Sequence, residues 1–208
     1  MDMKNLSVAE FSRHAASDAI TPGGGSVTAA AGAFAASLVC MTAKVTMDKK
    51  GYEEARARMT EIDAQGEDLR RELLDLIQKD CDAFDAYLRA FRLPKSNNEE
   101  KDARADAVQD ALKAACAVPM RIAACSFLVL ALALEAVLKC NTNALSDAFV
   151  GLLLARSAVL GAVSSVRVNL EEIKDEAYVL SKRDECGKLE QAALETEKQA
   201  MKARNARA

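Results

Sequence analysis

Apolar residues recur at helical spacing along almost the whole chain, and they divide it into segments. Leu6 and Phe11 flank Ser7 and Glu10, a capping box with a hydrophobic staple, which predicts a first helix from Ser7 to about Ser17. "ITPGGG" breaks it. The next segment, Ser26 to about Met47, is apolar on nearly every side and is expected at the centre of a bundle. From Tyr52 to Leu93 the pattern becomes amphipathic, with Leu73, Leu76, Ile77, Phe84 and Tyr87 on one stripe. Pro94 stops it, and "SNNE" at Ser96–Glu99 offers a second capping box. A fourth segment runs to about Lys139 with Pro119 inside it, where a kink or a break into two helices is expected. "KCNTNALSD" reads as a turn whose asparagines suit helix termini. A second buried helix follows from about Asp147 to Asn169, then a charged region, of which 181–208 reads as a helical extension. No repeat or linker interrupts the series. The prediction is an all-α, single-domain bundle over 1–208, with about six or more helices and two central apolar ones.

Composition supports this. Half of the 208 residues are hydrophobic but only 4% are aromatic, so Ala, Leu and Val must build the core, which favours close-packed helices. A net charge of −3 gives no basic footprint for nucleic acid. Asp2, Lys4 and Glu10 interrupt any apolar leader, so the cytoplasm is the expected location. Ile122–Leu134 is shorter than the roughly 20 residues a membrane span needs. Ser26–Val45 is long enough but rich in Ala, Gly, Ser and Thr, and both are read as buried helices, with no membrane contact. The six cysteines contain no C-x-x-C pair and read as reduced core thiols. His14 is the only histidine and stands beside Arg13, which leaves little for a metal site or a histidine-activated nucleophile.

The informative residues are polar ones that break the pattern. On a helical wheel Asp80 falls inside the stripe made by Leu73, Leu76, Ile77, Phe84 and Tyr87, while Asp75, Asp82 and Asp85 fall outside it. A carboxylate there must be paired, hydrogen-bonded or protonated. It is either a structural group bonded to a backbone terminus or a catalytic one. Asp147 heads a smooth face formed by Gly151, Leu154, Ala158, Gly161 and Ser165, which is either a tight helix–helix contact or the wall of a groove, and the Asp itself can be simply an N-terminal capping residue. Arg104 is either a snorkelling arginine or a group that reaches an anionic ligand or one of the inward aspartates. Gly23, Gly24 and Gly25 open the second helix, where successive N–H groups form an anion-binding concavity or a tight packing turn.

"TPGGGSVTAAAGAFAASLV" resembles the signature of the cyclodeaminase/cyclohydrolase family of folate enzymes. The likeness continues through "DCDAFDAYLRAFRLPK", "AACAVPMRIA", "CNTNALSDAF" and "VRVNLEEIKDEAYV", in register over about residues 5 to 180. It departs at "AVSSVRVNL", where Ser165 stands in place of an expected Asn. The resemblance implies a helical bundle, a homodimer, acting on a tetrahydrofolate derivative that can be polyglutamylated, with no cofactor beyond that substrate and no metal. The implied reaction is conversion of 5-formiminotetrahydrofolate to 5,10-methenyltetrahydrofolate and ammonia. The alternatives are hydrolysis of the methenyl bridge to 10-formyltetrahydrofolate, or a non-catalytic folate-binding subunit. Matched to the inventory above, the resemblance implies Asp80 as general acid/base and Asp147 as its partner or the orienter of the pterin. Pro22, Gly23, Gly24, Gly25 and Ser26 would bind the folate, with Asn141 and Asn143 nearby and Lys95 and Arg104 for its glutamate tail.

Overall fold

The computed structural model describes residues 2–207, and these form an all-α bundle of six helices. They are α1 (Val8–Ala15), α2 (Gly24–Met47), α3 (Arg56–Phe91), α4 (Asn98–Lys139), α5 (Leu145–Leu170) and α6 (Glu176–Arg207). Short 3-10 turns precede α1, α3 and α5. The expected capping box of α1 is present, with Ser7 and Glu10 bonded reciprocally. At α4 the cap lies one residue later than predicted. Asn97 accepts from the Glu100 N–H at 2.8 Å, and Glu100 reaches back to the Ser96 N–H at 2.7 Å. The side chain of Asn97 does what was expected of Ser96.

Successive long helices run antiparallel. α2 lies between α3 and α5 and is backed by α4, which also touches α3, α5 and α6. Small residues set the spacing: a Cβ on Gly151 would come within 3.2 Å of Leu38 Cβ and 3.3 Å of the Ala35 carbonyl, so α5 closes on the backbone of α2. Met59, Ile62, Leu73, Ile122, Leu130 and Leu152 fill the core between the helices.

The charged C-terminal segment is not a free extension. Cys186, Ala193 and Ala200 bury a seven-residue repeat of small side chains against the bundle. Glu190 and Glu197 of α6 pair with Arg167 and Arg156 of α5 at 2.5 and 3.0 Å. Arg207 donates to the carbonyls of Val137 and Cys140 and so caps the end of α4. Three stretches, Gly24–Met47, Asn98–Lys139 and Thr142–Leu170, are long and apolar enough to cross a membrane. In the bundle about half of each apolar window is buried against other helices.

Pro119 does not break its helix. α4 continues through it for 42 residues. A proline leaves the carbonyl four residues earlier without its helical donor. Here that carbonyl, Ala115, accepts from the Asn169 side-chain amide at 2.8 Å. The repair comes from α5, which explains why the helix persists.

Candidate functional site

One end of the bundle gathers the start of α2, the late part of α3, the Pro119 region of α4 and the end of α5. Between them lies a cavity of about 250 Å³ whose lining includes Gly24, Gly25, Asp80, Phe84, Ser165 and Asn169. α2 begins earlier than its sequence suggested, with Gly23 as the N-cap and Gly24 and Gly25 already helical. Gly23 has no side chain to cap the first turn. The N–H groups of that turn have no carbonyl partners within the helix.

Asp80 supplies the missing acceptor from another helix. Its Oδ2 accepts from Ser26 Oγ at 2.8 Å, and the Ser26 backbone N–H faces the same carboxylate. A carboxylate at a helix N-terminus is electrostatically favoured. The approach is close: a Cβ on Gly25 would lie 2.2 Å from Asp80 Oδ1. Glycine at this position therefore makes room for the acid, and no unusual backbone angle is involved. Burial nonetheless dominates, so the Asp80 carboxyl titrates above the ordinary aspartate range, with the Ser26 bonds opposing the shift. Asp80 thus does what the first sequence alternative expected, bonding to a helix terminus, and it does so facing a cavity.

Ser26 occupies a different place from the one expected of it. It is fully buried, and its hydroxyl serves Asp80, with the Ile77 carbonyl at 3.2 Å and Cys81 Sγ at 3.3 Å. Pro22 is buried beside Gly23 at the turn into α2. Ser165 lines the cavity, its hydroxyl donating back to the Gly161 carbonyl at 3.2 Å. Asn169 and Phe84 also line it, and the sequence reading did not name them as site residues. Phe84 looked like core, and the only signal for Asn169 was the proline it serves.

Asp147, Asn141 and Asn143 do not meet Asp80 within one chain. Asp147 and Asn143 line a separate groove with Met41, Val45 and Lys49 at the far end of α2. Seventeen residues of helix, about 25 Å, separate Gly24 from Met41. Within one chain the two aspartates therefore stand toward opposite ends of α2. Asn141 is a capping residue whose amide donates to the Val45 carbonyl at 3.0 Å while its N–H donates to Thr46 Oγ1 at 3.1 Å. Arg104 closes the end of α3: its Nε donates to the Phe91 carbonyl at 2.9 Å and its guanidinium lies 4.6 Å over the Phe91 ring. It is linked to the cavity only through the aromatic row Phe84, Tyr87, Phe91, with centroids 5.9 and 6.1 Å apart. Lys95 is exposed in the α3–α4 turn. Among the described residues no three His, Cys, Asp or Glu side chains gather in a way that could hold a metal.

Comparison with known proteins places this geometry. A family model described as formiminotransferase-cyclodeaminase matches residues 7–188. The chain is 40% identical over 174 residues to a methenyltetrahydrofolate cyclohydrolase of Methylorubrum extorquens, covering 84% of each. It is 33% identical to a formimidoyltransferase-cyclodeaminase of Sus scrofa, of which it spans 34%. The crystal structure of formiminotetrahydrofolate cyclodeaminase from Thermotoga maritima superposes with a TM-score of 0.87 at 30% identity, covering 98% of both chains. A helical bundle with an acid set against a glycine-opened helix thus belongs, by sequence and by fold, to the formiminotransferase-cyclodeaminase family.

Proposed function

We propose that the protein is an enzyme of folate one-carbon chemistry, acting at the carbon that bridges N5 and N10 of tetrahydrofolate. The observation that carries this is the Asp80 carboxyl, held at the first turn of α2 and facing the cavity with its proton affinity raised by burial. The reacting carbon in such substrates is already cationic and flanked by nitrogens, so it needs a proton carrier and charge stabilisation. A positioned carboxyl of suitable affinity contributes roughly 10²- to 10⁴-fold to such a step. Its bonds to Ser26 hold the group in place, while Gly24 and Gly25 leave the approach open.

In the cyclodeaminase direction N10 attacks the formimino carbon and ammonia leaves, with Asp80 passing the proton that makes ammonia the leaving group. The superposition on the Thermotoga enzyme supports this reading. In the cyclohydrolase direction water attacks the methenyl carbon, Asp80 accepts its proton, and the ring opens to the 10-formyl product. The 40% identity to the Methylorubrum enzyme over most of both chains supports this second reading. In either case the aromatic row and the basic residues beyond it, Arg104 and Lys95, offer a path for an anionic glutamate tail. The reading places the protein in the cytoplasm as a homodimer.

Two assays on the purified protein decide the matter. Ammonia release from 5-formiminotetrahydrofolate identifies the first activity, and loss of methenyltetrahydrofolate absorbance identifies the second. Asp80→Asn is expected to cut whichever turnover is present by about 10²-fold or more. A folded Asp80→Asn protein with full turnover removes Asp80 from the mechanism.

A further inference from the structure

Proline is the least favourable residue in the interior of a helix, yet α4 places one at position 119, where it is buried and lines the Asp80 cavity. Its ring leaves the Ala115 carbonyl, on the same wall of the cavity, without a donor from its own helix. Asn169 of α5 is the donor instead, at 2.8 Å. Asparagine also has low helix propensity, so neither member of the pair is there to build its helix. A carbonyl oxygen only accepts, so the end of the Asn169 amide that meets it must be the nitrogen. The amide is planar, and its oxygen is therefore turned away from Ala115. Among the described residues no donor is bonded to that oxygen, and Asn169 is half-buried and lines the cavity.

We propose that Pro119 is a positioning residue: by withholding a donor from the Ala115 carbonyl it fixes the amide of Asn169, whose oxygen then accepts an N–H of the bound substrate in the cavity that Asp80 faces. Without the proline the helix would satisfy the carbonyl itself, and the amide would be free to turn either end to a ligand. With it, one orientation is set before the ligand arrives, which removes an ordering cost from binding. Ser165, one turn earlier on the same face of α5, agrees in sense. Its hydroxyl hydrogen is spent on the Gly161 carbonyl at 3.2 Å, so it too offers the cavity only lone pairs. The α5 wall is built of acceptors that carry no charge.

That the ligand's donor is an N–H rests on the folate reading above, in which the reacting carbon is cationic and flanked by nitrogens and the fused ring carries N–H groups. Uncharged acceptors suit such a substrate for a second reason. Another carboxylate beside Asp80 would raise its proton affinity further than burial already does, whereas an amide oxygen attracts an N–H without that repulsion. The positioning of the amide does not rest on the folate reading. The bond to Ala115 and the gap that Pro119 leaves in the hydrogen-bond ladder of α4 belong to the chain itself.

Two experiments test the proposal, and the first uses no substrate. The side-chain amide hydrogens of Asn169 are identified in a nitrogen–proton NMR spectrum by their loss in Asn169→Leu. One of them is expected to exchange slowly with solvent in the native protein. In Pro119→Ala, which returns an N–H to α4, that hydrogen is expected to exchange about tenfold faster or more. Equal protection in both proteins overturns the role of the proline. The second experiment measures kcat and KM for whichever folate derivative the native protein turns over. Pro119→Ala is expected to lose about tenfold in kcat/KM, the worth of one hydrogen bond, while melting no lower than the native protein, because a helical bond is regained. A merely structural proline predicts the reverse, a lower melting temperature with kcat/KM unchanged. Pro119→Ser restores the same N–H and serves if Pro119→Ala does not fold. Asn169→Leu is expected to cost as much in kcat/KM on its own, and nothing further when added to Pro119→Ala. Native kinetics in Pro119→Ala, or losses that add, overturn the proposal. A native protein that turns over neither derivative removes the folate reading and with it the N–H ligand, and the amide exchange then decides the positioning alone.

Discussion

At the scale of a residue, Asp80 is at once the cap of a helix and a buried acid facing a cavity. Burial raises its affinity for a proton above that of an unfolded aspartate. The folded state then binds more protons than the unfolded one in the window between the two values, so stability falls as pH rises through that window. Asp80→Asn is therefore expected to melt no lower than the native protein at neutral pH, and the native protein should gain on it as pH falls. Thermal unfolding of the pair from pH 7 to pH 4 measures this, and a native protein that loses ground on acidification contradicts it. Ser26 acts in the opposite sense, because its bonds favour the ionised carboxylate. Ser26→Ala should move the limb of the pH–rate profile that reports Asp80 to higher pH, a change that simple loss of packing does not produce. The wheel alone showed that Asp80 points inward, since its neighbours in the stripe are apolar. It could not show Ser26 as the partner, because 54 residues separate them and only the antiparallel docking of α2 on α3 joins them.

At the scale of an element, the same limit explains Pro119. Sequence locates a proline inside a helix but not the donor that repairs it, and that donor lies on α5. Asn169→Ala should leave the buried Ala115 carbonyl without a partner at a cost of about 1–3 kcal/mol. It should also alter the cavity that Asn169 lines. Denaturant unfolding reads the first effect. An Asn169→Ala protein as stable as the native one would mean that water or a bend in α4 satisfies the carbonyl instead. Helix ends were legible where the cap is local, as at Ser7, and misplaced where it comes from elsewhere. The early start of α2 is the clearest example: Gly24 and Gly25 have low helix propensity, yet an acid on α3 anchors their turn. The place of Asp147 was not legible for a related reason. Its smooth face was visible, but whether that face leads to the near or far end of α2 depends on the direction of packing.

At the scale of the whole molecule, the all-α class followed from composition and period, while the depth of the last helix did not. A charged segment gave no sign that its sparse small residues dock it on α4 and α5. The cysteines offer a test of that docking, because they sample α2, α3, α4 and α6 and all six are buried. Burial pushes the Cys40 and Cys125 thiols up to about 11 and raises the other four as well. At pH 8 a thiol of that affinity is ionised to only about one part in a thousand, and the thiolate is the reactive form. Ellman's reagent is therefore expected to find no fast-reacting thiol in the native protein and six per chain in guanidinium. Cys186 is the sentinel for α6. If its reaction alone runs ahead of the rest, the helix opens as a separate unit, and the ion pairs of Arg156 and Arg167 do not hold it. If all six emerge together, α6 belongs to the cooperative core and Arg207 caps α4 as part of the same fold.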